Sequence, residues 1–164
     1  MGKLSKLLLD MIEHESKQAR FVLAAAKDVD LKFSPKEMKP LIDLANHLAQ
    51  IPLIDYKFFN MDFDNFDQTK KMEKDLHKDS IDELLTVFDK GIDYIKGNFA
   101  GLSDEEVLED NKKPFYESGP EKNWAHYLPT IATHLAMHKM QLWTYLKLAG
   151  AQVNMMTYYG IPSS

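Results

Sequence analysis

The chain has 164 residues, 45% of them apolar and 27% charged, a length and composition suited to one globular domain spanning 1–164 with its own core. It contains no Cys, which excludes disulfides, thiol catalysis and thiolate metal sites and leaves His, Asp and Glu as the metal-ligand types. A formal charge of -5, with Lys scattered among Asp and Glu, provides no basic stripe for a phosphate backbone and argues against nucleic-acid binding.

The first apolar run, Leu7 to Leu9, is cut by Asp10 and followed by Glu13, so it fits neither a signal sequence nor a membrane span, and a cytoplasmic protein is expected. Leu4, Leu7, Leu8, Met11, Ile12, Ala19, Val22, Leu23 and Ala26 recur at helical intervals and predict a first helix of about six turns. The segment Phe33-Ser34-Pro35-Lys36-Glu37-Met38 predicts the start of a second: Ser34 and Glu37 can form a capping box, and Phe33 can pack on Met38. Pro40 and Pro52 each lack an amide hydrogen, so a bend at one or both is expected.

Residues 60–67 mix acidic and aromatic side chains without helical or strand period and predict a loop, with Phe63 and Phe66 pinning it to the core. Asp62, Asp64, Asn65 and Asp67 lack the glycine turn of a calcium loop. Ser80 and Glu83 form another capping pattern ahead of Ile81, Leu84, Leu85, Phe88, Ile92, Ile95 and Phe99, a third helix; the periodicity leaves open whether 72–78 already belongs to it. From Ser103 to Asn123 the chain is polar and broken by Pro114, Gly119 and Pro120, with at most one helical turn near Asp104 to Leu108. A final helix carries Tyr127, Ile131, Leu135, Leu142, Tyr145 and Leu146 on one face and stops at Gly150. The reading is all-α: a four-helix bundle with a long crossover before the last helix. Met155, Met156, Tyr158 and Tyr159 are expected to cover one end of the bundle or to form a dimer seam.

Three histidines carry the chemistry. His134 and His138 lie about 40° apart around the last helix, one turn apart, and both face the interior or its rim. His47 sits in the inward stripe of Leu44, Leu48 and Ile51 on the second helix, so facing helices can bring the three rings together. Three neutral imidazoles hold a divalent transition metal and leave coordination positions open, as in catalytic zinc sites; left without metal or partners, three buried rings are expensive to desolvate. Asp43, one turn before His47, is a candidate to orient its ring or simply a solvated carboxylate. Trp124, Trp143 and Tyr145 are candidates to line a pocket or to pack the core, while His14, His77 and His126 read as surface or partly packed. The competing reading makes the three histidines ordinary interior polar residues.

The series His134-Leu135-Ala136-Met137-His138-Lys139-Met140-Gln141, followed by Tyr145-Leu146 and Gly150, with Asn46-His47-Leu48-Ala49 on the second helix, resembles the DinB-like, or YfiT-like, superfamily of metal-binding four-helix bundles along the whole chain. The resemblance implies that His47, His134 and His138 are the metal triad, with zinc or nickel as the ion, and places Gln141 and Tyr145 beside it. For activity it implies a thiol transferase using a low-molecular-weight thiol such as bacillithiol or mycothiol, one branch being a thiol-dependent isomerase, while many relatives have no assigned reaction. A His-bound ion that activates water or a thiol makes the expected function a metal-dependent enzyme, a thiol S-transferase or a hydrolase, acting on a small electrophilic molecule. The alternative is a non-catalytic metal-binding sensor or stress-related interaction protein. Related bundles pair through helix faces, which implies a homodimer. Many relatives carry Arg-Gly after the second His, where this chain has Lys139-Met140, and its one arginine is Arg20. An anionic thiol is usually held by such cationic forks.

Overall fold

The computed structural model describes residues 2–162. Seven helices are present among them: α1 (Lys3–Ala24), α2 (Leu41–Phe59), α3 (Phe66–Leu76), α4 (Ile81–Phe99), α5 (Asp104–Leu108), α6 (Trp124–Leu148) and α7 (Met155–Tyr158). No strand occurs among the described residues, only an isolated antiparallel bridge between Lys112 and Lys122 inside the crossover. None of the described helices is long and apolar enough to cross a membrane.

The four long helices form the bundle. α1 packs on α4 and α6, and α2 packs on the same two, so α1 and α2 lie on one diagonal and α4 and α6 on the other. Their stripes meet in one core in which Ile12, Leu23, Leu48, Leu84, Ile131 and Leu135 are fully buried, each contributing about 2 kcal/mol through removal of apolar area from water. An aromatic layer closes one region of this core: Tyr56 stacks on Trp124 at 4.7 Å, Phe99 meets both edge-on, and Phe59 stacks on Tyr127 at 4.3 Å. Where α2 crosses α4, Gly91 lets the backbones approach. A Cβ there would stand 3.0 Å from Pro52 Cβ and 3.1 Å from the Leu53 amide nitrogen.

The structure corrects the start of α2. Residues 34–38 form a turn in which Ser34 Oγ donates to the Met38 carbonyl and Glu37 adopts a φ of 61°, so no capping box forms there. The reason lies in Pro40, which biases Lys39 away from helical geometry and would interrupt any helix begun at Pro35. The helix begins instead just after Pro40, and its first amides are satisfied by backbone: Leu41 N donates to the Phe33 carbonyl at 2.8 Å and Ile42 N to that of Leu31 at 3.0 Å. Pro52 lies inside α2 and leaves the Leu48 carbonyl without a ladder donor.

Residues 66–76 form a helix of their own. Asn65 caps it, accepting from Asp67 N and Gln68 N at 3.1 Å each, and the extended backbone at His77 ends it. Phe63 is buried as expected for a pin, whereas Phe66 is exposed and meets Phe115 and Tyr116 on the surface. Ser80 and Glu83 cap α4, and Ser103 and Glu106 form a capping box on α5. From the start of α5, Asp104 reaches back to the N-terminus of α1 and accepts from the amides of Lys3, Leu4 and Ser5, a carboxylate at the positive end of the helix dipole.

α6 ends at Gly150, whose φ of 84° is the left-handed conformation expected of the residue after a helix. The chain then folds back so that α7 lies on α1 and α6, held by Trp143 Nε1 donating to the Asn154 carbonyl at 2.9 Å. Beneath α7 sits Lys139, whose side chain is only 3% exposed. Its ammonium group meets Glu15 at 2.7 Å and Gln18 Oε1 at 2.6 Å, both on α1, and lies 4.3 Å from the centre of the Tyr158 ring.

Candidate metal centre

α2 and α6 run antiparallel along one edge of the bundle and bring three imidazoles to a common point. His47 Nε2 lies 3.3 Å from His134 Nε2 and 3.1 Å from His138 Nε2, and one ligand atom from each ring falls within 4.8 Å of both others. Two nitrogens each about 2.0–2.1 Å from one ion, at the tetrahedral angle, stand about 3.3 Å apart, so the observed separations match those of ligands on a shared ion. The rings sit at the bundle rim, partly open to solvent.

The other nitrogens of two rings are committed. His134 Nδ1 is 2.6 Å from Asp55 Oδ2, and His138 Nδ1 is 2.9 Å from Gln141 Oε1. Carboxylate and amide oxygens only accept, so in both rings Nδ1–H donates and the Nε2 lone pair faces the common point. His47 Nε2–H could donate to one of these lone pairs at a time, and the second would then face the cluster with no proton. A cation at that point satisfies all three lone pairs, so the residues present fit a divalent ion of borderline softness.

Electrostatics favour the unprotonated ligand form. Burial, then the neighbouring His138 and His134 and the ammonium of Lys39, hold His47 down to about 4. Burial also lowers His138, partly offset by its bond to Gln141.

An open pocket of about 700 Å³ adjoins the triad, lined by His47 and His138 with Lys39, Asp43, Leu44, Asn46, Gln50 and Gln141, and on its far side by Lys70, Glu73, Lys74 and His77 from α3 and its C-terminal end. Asp43 is therefore on the pocket wall and makes no bond to the rings. Tyr145 is buried behind it with its hydroxyl donating to the Lys39 carbonyl at 3.2 Å. Trp124 belongs to the aromatic core and Trp143 to the tail anchor. His77, read from the sequence as a surface residue, lines the pocket.

Asp55 is the site residue that sequence reasoning missed. The signal was present: with α2 and α6 antiparallel, a partner for His134 must lie beyond His47 toward the end of α2, and Asp55 is the one carboxylate in 48–59. A search one turn from His47 finds only Asp43.

Among solved structures, the chain matches the crystal structure, at 1.70 Å resolution, of "a putative member of the DinB family" from Exiguobacterium sibiricum, with a TM-score of 0.74 and 16% sequence identity over 96% of this chain and 99% of that one. This chain has the DinB fold. No family model and no curated protein matches the sequence. In this DinB-like bundle the three histidines stand close enough together that they could hold a metal ion.

Proposed function

We propose that the protein is a metal-dependent enzyme in which His47, His134 and His138 hold one divalent ion, zinc or nickel, and that it transfers a thiol to, or hydrolyses, a small electrophilic molecule. The observation that carries this reading is the convergence of three Nε2 atoms at 3.1 and 3.3 Å with two of the Nδ1 atoms already bonded to Asp55 and Gln141. Such an ion, when bound, supplies Lewis acidity that lowers the pKa of water or a thiol and polarises an electrophile.

The protein's own groups supply orientation and access. Asp55 and Gln141 fix the tautomers and azimuths of His134 and His138, which keeps both lone pairs aimed inward. All three ligands come from two packed helices, a rigid support. The pocket of about 700 Å³ leaves one side of the triad reachable by a molecule of small-ligand size, which favours catalysis over a closed structural site.

Elemental analysis of untagged protein tests the metal: about one zinc or nickel per chain is expected, and a metal content near zero in both wild type and His138→Ala sinks the proposal. Turnover is then assayed with low-molecular-weight thiols against electrophiles and with ester and amide substrates. Activity that disappears in His138→Ala supports the enzyme. Stoichiometric metal with no turnover on any of them favours a metal sensor instead.

A further inference from the structure

Lys39 and Lys74 make no ion pair among the described residues, and the only carboxylate near the Lys70 ammonium is Asp67, at the 4.0 Å limit of contact and itself 94% exposed. All three lysines line the pocket beside the triad. The placement is built by the fold. Lys39 sits just ahead of α2 on a segment whose carbonyl is held by the buried Tyr145 hydroxyl. Lys70 and Lys74 lie one turn apart on the same face of α3, so their head groups can reach one ligand together. α3 is tied to α2 by Gln50, whose amide donates to the Glu73 carbonyl at 3.1 Å. The turn that follows it is tied by Asn46, which donates to the Lys78 carbonyl at 2.8 Å and accepts from Lys78 N at 2.9 Å.

Those bonds use both amide hydrogens of Asn46 and one of the two on Gln50, while Gln141 is engaged by His138 through its accepting oxygen and keeps its amide hydrogens. The charged donors open to a ligand in this pocket are the three ammonium groups, with amide hydrogens of Gln50 and Gln141 beside them. In the lining three ammonium groups face two carboxylates, Asp43 and Glu73, and the Asp67 carboxylate near Lys70 lies outside it and is 94% exposed, so the pocket wall is locally positive on a chain whose formal charge is -5. Lys139, which stands where relatives carry arginine, cannot contribute, since it is buried against α1.

We infer that this pocket takes a small organic anion, its carboxylate or phosphate group held among Lys39, Lys70 and Lys74 and its reactive end directed to the three histidines. The inference rests on the proposed metal-dependent reaction for what happens at the reactive end, while the anion contact stands on the lysines alone. The concave shape focuses their field, so the selectivity is for charge and falls as salt rises.

Benzoate and its neutral counterpart benzamide, titrated into zinc-treated protein and followed by amide NMR shifts of α3, test it. Benzoate is expected to bind at least about fivefold tighter than benzamide, the selectivity that a locally positive pocket confers. The double variant Lys70→Gln, Lys74→Gln is expected to erase that preference without loss of fold, because both side chains are exposed. Lys27→Gln, distant from the pocket, is the control. Equal binding of benzamide, or benzoate binding unchanged in the double variant, overturns the inference. His47→Ala separates the two proposals. Lysine-dependent benzoate binding that persists without zinc keeps this inference even if the metal reading falls, and stoichiometric zinc with no lysine-dependent binding removes this inference alone.

Discussion

Replacing Asp55 by asparagine removes a charge and little volume from the one carboxylate bonded to the triad. The His134 Nδ1–Asp55 Oδ2 distance is 2.6 Å and the Asp55 side chain is 14% exposed, so the bond is short, charge-assisted and shielded from water. Loss of such a partner behind a metal-binding imidazole costs about 10- to 100-fold in affinity, or about 1.4 to 2.8 kcal/mol. The amide of the Asp55→Asn variant can still present an oxygen to Nδ1–H but carries no charge, which places the expected loss near the lower bound. A competition titration of zinc against a chromophoric chelator, at a pH near neutral, measures it. The same titration should give a much larger loss for His47→Ala and a change within about threefold for Asp43→Asn, whose carboxylate touches none of the rings. An Asp55→Asn affinity within about threefold of wild type, with helicity unchanged by circular dichroism, would refute the orienting role; so would an equal loss in Asp43→Asn, which would mean that general negative potential governs affinity.

The metal-free protein should lose stability in acid through His47. Its folded-state value of about 4 lies below the unfolded 6.5, so the unfolded chain takes up the proton first, and the contribution present above pH 6.5 is lost as pH falls toward 4. Discounted for the ring's partial exposure, the loss at about pH 5 is about 1 kcal/mol, and urea midpoints at about pH 7 and 5 should show a smaller drop in His47→Ala than in wild type. Asp104→Ala should cost about 1 kcal/mol by leaving three α1 amides without their acceptor, seen as a lower thermal midpoint. Gly91→Ala should destabilise by about 1 kcal/mol, because the crowding against Pro52 and Leu53 backbone outweighs the helix-propensity gain; a raised midpoint would show that α2 and α4 can part without cost.

The sequence carried the bundle because its long helices are amphipathic and two of their ends are plainly signalled: Ser80 before α4 and Gly150 after α6. It carried the three histidines because helical spacing converts directly into direction. What it obscured were features decided by other elements. The box at Ser34 is locally sound, yet Pro40 and the carbonyls of Leu31 and Phe33 decide where α2 begins. Helix α3 is polar and short, with Thr69 its one buried residue, so no apolar period announces it, although it forms the far wall of the pocket. Asp55 required the relative direction of two helices, which no single-helix pattern contains.

Lys139 and His138 are neighbours in the chain and point to opposite flanks of α6. One is ion-paired with Glu15 and bonded to Gln18 on α1, the other aims at α2. The last helix is thus held on both sides, and a roll about its axis would break a shielded ion pair as well as the core packing of Ile131, Leu135 and Leu142. A helix that contributes no ligand thereby braces the one that contributes two. Loss of the Glu15 carboxylate would leave a buried ammonium with Gln18 and the Tyr158 ring as its partners, on the helix that carries His134 and His138.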